Sequence, residues 1–131
     1  MSSDTQPATS PKWMLWVGWI LTILESLALI MSAVFKFIQP GDFAKGFSDM
    51  GWPVELAIVL GITELACALL YLFPRTAVLG AILLTGYLGG AIATHVRIHD
   101  DFIAPIIFGV LIWLGIYFRD ARLRAIVPWR S

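Results

Sequence analysis

Residues 13–35, WMLWVGWILTILESLALIMSAVF, decide the fold, because the whole run carries a single charge, Glu25. At about 1.5 Å of rise per residue, a helix of this length exceeds the roughly 30 Å hydrocarbon layer of a bilayer. A cleaved signal peptide competes with this reading. The run is too long for an h-region, however, and Met31-Ser32-Ala33 is a poor cleavage site, so the helix is expected to remain in the protein. Working outward, three more apolar runs follow at about 54–73, 76–95 and 102–118. Apolar residues make up 59% of the 131 and charged residues 14%, and the mean hydropathy is +0.83. Such a composition belongs in a lipid bilayer. No segment alternates with the period of two that a barrel requires, and the short connections force neighbouring helices to run antiparallel. The expected fold is all-α, an integral-membrane antiparallel four-helix bundle over 13–118. A disordered polar tail at 1–12 precedes it and a basic C-terminal segment at 119–131 follows.

The connections carry their own signals. Pro40 and Gly41 end the first helix, and Asp42 can cap a short helix whose Phe43, Phe47 and Met50 share one face, as in a segment lying on a membrane surface. A loop without regular structure is the alternative. Pro53 opens span two, Pro74 stops it, and Asp100 or Asp101 supplies the cap of span four, which tolerates Pro105 in its first turn.

Charge orients the spans. Lys12, Arg75, Arg119, Arg122, Arg124 and Arg130 fall on one side, against Lys36, Lys45 and Arg97 on the other, so both termini are expected in the cytoplasm. Trp13, Trp16, Trp19 and Trp129 would then mark the cytoplasmic boundary and Trp52 the outer one. Arg119, Arg122 and Arg124 read as a segment resting on anionic head groups, with docking of a soluble partner as the alternative. Basic patches interleaved with exposed aromatics are missing, which argues against nucleic acid as a partner. The single cysteine, Cys67, excludes an intramolecular disulfide and multi-cysteine zinc sites, and it reads as an inert small residue.

The polar residues inside the spans need an explanation. Counting residues places Glu25 and Glu64 near the midplane, where a carboxylate costs at least roughly 2.5 kcal/mol and must be protonated or paired. The two acids are expected to turn toward each other, with the Thr85 and Tyr87 hydroxyls at similar depth as partners. His95, Arg97 and His99 lie at the outer end with Lys36, giving a pocket with basic and imidazole groups at its rim and acids at its base. Against this stand blander readings. Glu25 and Glu64 can tie helices together as neutral acids, and His95 can snorkel to the interface. His95 and His99 have metal-ligand spacing if the helix continues, but Asp100 and Asp101 look like the cap of the next one. Gly86 with Gly90, and Ala81 with Thr85 and Gly89, read as small-residue faces for close helix packing, with room for a flat ligand as the alternative.

Phe35-Lys36-Phe37, Met50-Gly51-Trp52-Pro53, Glu64-Leu65-Ala66 and the run from Gly89 to Arg97, Gly-Gly-Ala-Ile-Ala-Thr-His-Val-Arg, appear in an order that resembles the DoxX-like family of small bacterial membrane proteins. The resemblance covers about Trp13 to Phe118. It implies a four-helix bundle in the bacterial inner membrane, with relatives named for a subunit of a thiosulfate:quinone oxidoreductase and others grouped with redox-stress proteins. Lys36, Glu64 and His95 fall on the family's polar positions, whereas Glu25 replaces a smaller residue. No haem, flavin, iron–sulfur or metal signature is present, so redox chemistry would need a bound quinone or a partner.

The expected function is binding of a small or lipid-like ligand, a quinone among the candidates, by a redox-associated accessory subunit. Glu25, Glu64, Tyr87, His95, Lys36 and Arg97 are the candidate ligand-binding or proton-relay residues. The sequence offers no nucleophile–base pair, which favours a binding subunit over a self-sufficient enzyme. The rivals are a small proton- or cation-coupled transporter or channel and a structural assembly factor. Membrane lipids, a second copy of the chain and a soluble redox protein are the partners this reading allows.

Overall fold

The computed structural model describes residues 11–126, and every regular element among them is helical. α1 spans Lys12–Ile38, α2 Phe43–Asp49, α3 Ala57–Leu72, α4 Ala77–Arg97, α5 Ile103–Arg119 and α6 Ala121–Arg124. Turns of 3₁₀ helix at Val54–Leu56 and Pro74–Thr76 lead into α3 and α4. Most of the expected N-terminal tail, together with Trp129 and Arg130, lies outside the described residues.

Lys12–Ile38, Val54–Leu72 and Pro74–Arg97 are long and apolar enough to cross a membrane. α5 is a shorter apolar helix of 17 residues, about 25 Å by its rise. Trp16, Leu24, Leu27, Ile62, Ile82 and Ile107 all point outward and exposed. So much outward apolar surface suits hydrocarbon rather than water, and this is a membrane protein.

Local chemistry sets the helix ends. Gln39 takes a left-handed conformation (φ 54°) and its N–H returns to the Phe35 carbonyl, after which Pro40 prevents continuation. Phe73 turns extended ahead of Pro74 and closes α3. At the start of α5, the Asp101 carboxylate accepts the Ile103 N–H at 2.9 Å. Asp42 does stand at the N-cap position of α2, but its side chain makes no capping bond.

α1 packs on α3 and α5, and α4 packs on the same two helices, closing a ring. Glycines mark where backbones come closest. A Cβ on Gly18 would lie 2.7 Å from the Arg119 backbone nitrogen, and one on Gly61 would lie 2.8 Å from Phe37 Cε1. α1 therefore presses on α5 at the end that holds Lys12 and Arg119, and on α3 at the opposite end, which carries the loop residues 39–53. A Cβ on Gly80 would collide with the Tyr71 backbone, so α3 and α4 meet tightly just after their turn. Leu29, Ala68, Tyr71, Ala81, Leu84, Ile112 and Ile116 fill the centre.

Two expectations need correction here. Gly86, Gly89 and Gly90 do not pack helices together, because a Cβ on any of them would meet nothing within 4 Å. Arg119 and Arg124 do not simply rest on a membrane surface either. The Arg119 guanidinium donates to the Tyr71 and Leu72 carbonyls and lies 4.5 Å from the Trp19 ring centroid. Arg124 donates to the carbonyls of Tyr117 and Phe118 at 2.7 and 3.0 Å. Carbonyls at a helix end have no intrahelical donor, and these arginines supply one. Arg122 alone of the three is exposed, 3.7 Å from Asp120.

Candidate functional site

Toward the loop end of the ring, a cavity of about 470 Å³ opens among the helices. All four long helices contribute to its wall, and the strap from α2 to Trp52 adds Phe47, Met50 and Trp52. Gly86 and Gly90 belong to its lining, and a Cβ at either would meet no atom within 4 Å.

Its polar centre is an ion pair. Lys36 Nζ donates to Glu64 Oε1 at 2.8 Å and to Ser32 Oγ at 2.9 Å. Ser32 and Lys36 are one helical turn apart on α1, so the serine holds the ammonium against the α1 face while Glu64 meets it from α3. The side chains are 13% and 4% exposed, and both residues line the cavity. Tyr87 presents its ring 6.0 Å from the same ammonium. Lys36, expected at the rim as an anion attractor, is thus drawn inward to neutralise the acid.

His95 also lines the cavity, and its Nδ1 lies 2.6 Å from the Ala91 carbonyl oxygen. A carbonyl only accepts, so Nδ1 carries the proton, which leaves Nε2 as an acceptor in the neutral ring. The i, i+4 ligand spacing of His95 and His99 is not realised, because α4 ends at Arg97 and His99 turns left-handed (φ 58°). Among the described residues no group of three His, Cys, Asp or Glu side chains is placed to hold a metal ion.

Trp52, expected at the outer membrane boundary, lines the cavity and donates to Thr94 Oγ1 at 3.3 Å, while Thr94 donates to the Gly90 carbonyl. Arg97 does not line the cavity. It donates to the Met50 carbonyl at 2.6 Å and so fastens the strap to α4. Gly51 beside it has φ 88°, a conformation that strongly favours glycine, and a Cβ there would collide with the Arg97 guanidinium. Phe47, expected to face a membrane surface, is 4% exposed and lines the cavity instead.

Glu25 stands apart. It is 6% exposed and belongs to α1, about two turns or 10 Å along the helix from Ser32, and it does not line the cavity. Its Oε2 and the neighbouring Ser26 Oγ have no hydrogen-bond partner among the described residues. Its electrostatic neighbour is Tyr71, whose hydroxyl donates to the Ile112 carbonyl at 2.6 Å. Glu25 and Glu64 therefore do not form the facing pair expected from their depth. Depth along a helix says nothing about rotation around it, and Lys36 reaches Glu64 first. Thr85 likewise serves neither acid, since it accepts from Trp113 Nε1 at 2.7 Å and donates to the Ala81 carbonyl.

Of the six expected residues, the structure gathers Lys36, Glu64, Tyr87 and His95 around one cavity and leaves Glu25 and Arg97 outside it. Sequence reading missed Ser32, Trp52, Thr94 and Phe47. Ser32 had a legible signal in its one-turn spacing from Lys36, and Trp52 and Thr94 lay in the stretches that carry the family resemblance.

Neither the curated proteins nor the solved structures contain a match to this chain. A family model does match, over residues 20–115, which is well over half of the chain and takes in every residue of the cavity. It is that of the DoxX-like family, and the chain belongs to this family.

Proposed function

We propose that this DoxX-like membrane protein is a redox-associated accessory subunit that binds a small or lipid-like ligand, a quinone in our reading, in the cavity built on Lys36 and Glu64. One observation carries the proposal: a buried ion pair at 2.8 Å faces a cavity of about 470 Å³ whose remaining wall is largely apolar. A buried ion pair is weak evidence for stability, since well-packed apolar residues often serve as well or better. Intramembrane ionisable groups beside a concave apolar site are more readily explained by a ligand.

The donor set suits a flat apolar ring bearing carbonyl oxygens. Lys36 Nζ donates in three directions and can turn one hydrogen to a carbonyl, and Tyr87 and Trp52 offer aromatic faces. A bound quinone would supply two-electron, two-proton chemistry. The chain's own part is to orient the ring through Lys36, to hold or release a proton at the Glu64 carboxylate, and to exchange protons with water through His95 Nε2. Leu29, Leu60, Leu88 and Phe108 keep water from the apolar part of the cavity. We place the protein in the bacterial inner membrane with its termini cytoplasmic and the cavity toward the outer face, with electrons passing to or from a separate redox protein.

The test is to purify the full chain from bacterial membranes in mild detergent and to analyse the extract by mass spectrometry. A quinone or related amphiphile should accompany the wild type near one per chain and be lost from Lys36→Met. Recovery of no such molecule, or equal recovery from both proteins, would contradict the proposal.

A further inference from the structure

A second concavity, a groove of about 600 Å³, runs between α4 and α5. Leu88 and Pro105 belong to its lining and also to that of the central cavity, so these two side chains form the partition between groove and cavity. Two glycines leave this groove unfilled. Gly89 on α4 would place a Cβ in open space, and on α5 the Cβ of a substituted Gly109 would touch only Leu88 Cδ1, at 3.8 Å.

The groove has almost no polar character left to offer. The Thr85 hydroxyl and the Trp113 indole, both in its wall, satisfy one another at 2.7 Å, and Pro105 has no N–H. Beyond the Tyr117 phenol at its far end, a head group would find little to bond to in such a surface, whereas a hydrocarbon chain needs no partner. The cavity on the other side of Leu88 holds the Lys36–Glu64 pair and is polar where the groove is not. From Pro105 to Tyr117 the groove follows α5 for about 18 Å, enough for an extended alkyl chain.

We infer that the ligand is a bilayer-soluble amphiphile whose head reaches Lys36 and Glu64 while its hydrocarbon chain lies in the α4–α5 groove, passing the partition at Leu88. This rests on the proposed function of the cavity and adds to it the chemical class of the ligand and its route, sideways from the lipid rather than from water.

The experiment compares two probes on the full chain in dodecyl maltoside by calorimetry: a benzoquinone with a ten-carbon alkyl tail, and the same ring with a methyl group in place of the tail. Wild type should bind the tailed probe at least tenfold more tightly. Gly89→Phe, which fills the groove from α4, should remove that advantage and leave the methyl probe unaffected. Val110→Trp should do the same from α5. Gly86→Phe, which adds a ring to the cavity's lining, should abolish binding of both probes.

Equal affinity of wild type for the two probes would overturn the inference. So would a tail advantage that survives both groove variants, since the groove then holds only bulk lipid. If Gly86→Phe still loses both probes, the cavity reading stands without the groove. If wild type binds neither probe, or Gly86→Phe changes nothing, the cavity reading fails and the inference fails with it.

Discussion

Removing one partner of the Lys36–Glu64 pair should cost far more than removing both. At 2.8 Å and an effective dielectric of about 20, the gross attraction is roughly 6 kcal/mol. Desolvation of two charges that are 13% and 4% exposed offsets much of it, so an apolar replacement of both is expected within about 1 kcal/mol of wild type. Lys36→Met alone strands a carboxylate in the wall of the cavity, and Glu64→Leu alone leaves the ammonium only the Ser32 hydrogen bond and the Tyr87 ring at 6.0 Å. Each should cost about 3–5 kcal/mol. A double-mutant cycle then yields a coupling of at least about 5 kcal/mol, well above the ~0.6 kcal/mol averaged by ordinary interhelical hydrogen bonds in membranes. Reversible unfolding of the four proteins in mixed dodecyl maltoside and dodecyl sulfate micelles, followed by circular dichroism, measures it. Additive single effects below about 1 kcal/mol each would refute the reasoning.

Glu25 should behave in the opposite way. With no cation pairing it and Oε2 unpartnered among the described residues, Glu25→Leu is expected to be neutral or stabilising in the same unfolding assay. A loss above about 2 kcal/mol would expose a partner. Gly80→Leu forces a side chain into the Tyr71 backbone and should abolish the folded helical signal or cost more than about 3 kcal/mol, whereas Gly86→Leu should leave stability within about 1 kcal/mol of wild type. Gly51→Ala strains a left-handed position and displaces Arg97 from the strap, so the Trp52 fluorescence spectrum should shift to the red as the indole leaves the cavity wall. An unchanged spectrum would mean the strap is held by other contacts.

The helices were legible because hydropathy and length act locally. The run at 13–35 became α1, with its end at Gln39 and Pro40 where a break was expected, and Pro74 closed α3. Rotational facing was not legible. Glu25 and Glu64 looked like a pair by depth, yet the partner of Glu64 is a lysine that the charge count had assigned to the surface. Glycines posed the same difficulty, since Gly18, Gly61 and Gly80 sit at close helix contacts while Gly86, Gly89 and Gly90 open concavities, and their sequence contexts are alike. Arg119 and Trp52 were read as interfacial because such residues often are. The carbonyls at the end of α3 and the threonine on α4 that they bond appear only once the chain is folded.

The most direct measurement is an experimental density map of the protein purified in mild detergent, at a resolution that separates side chains. Non-protein density is expected against Lys36 Nζ and Glu64, beside Gly86 and Gly90. A map with α4 closed onto α1, no space at those glycines and the ion pair sealed in packed protein would contradict a ligand site there.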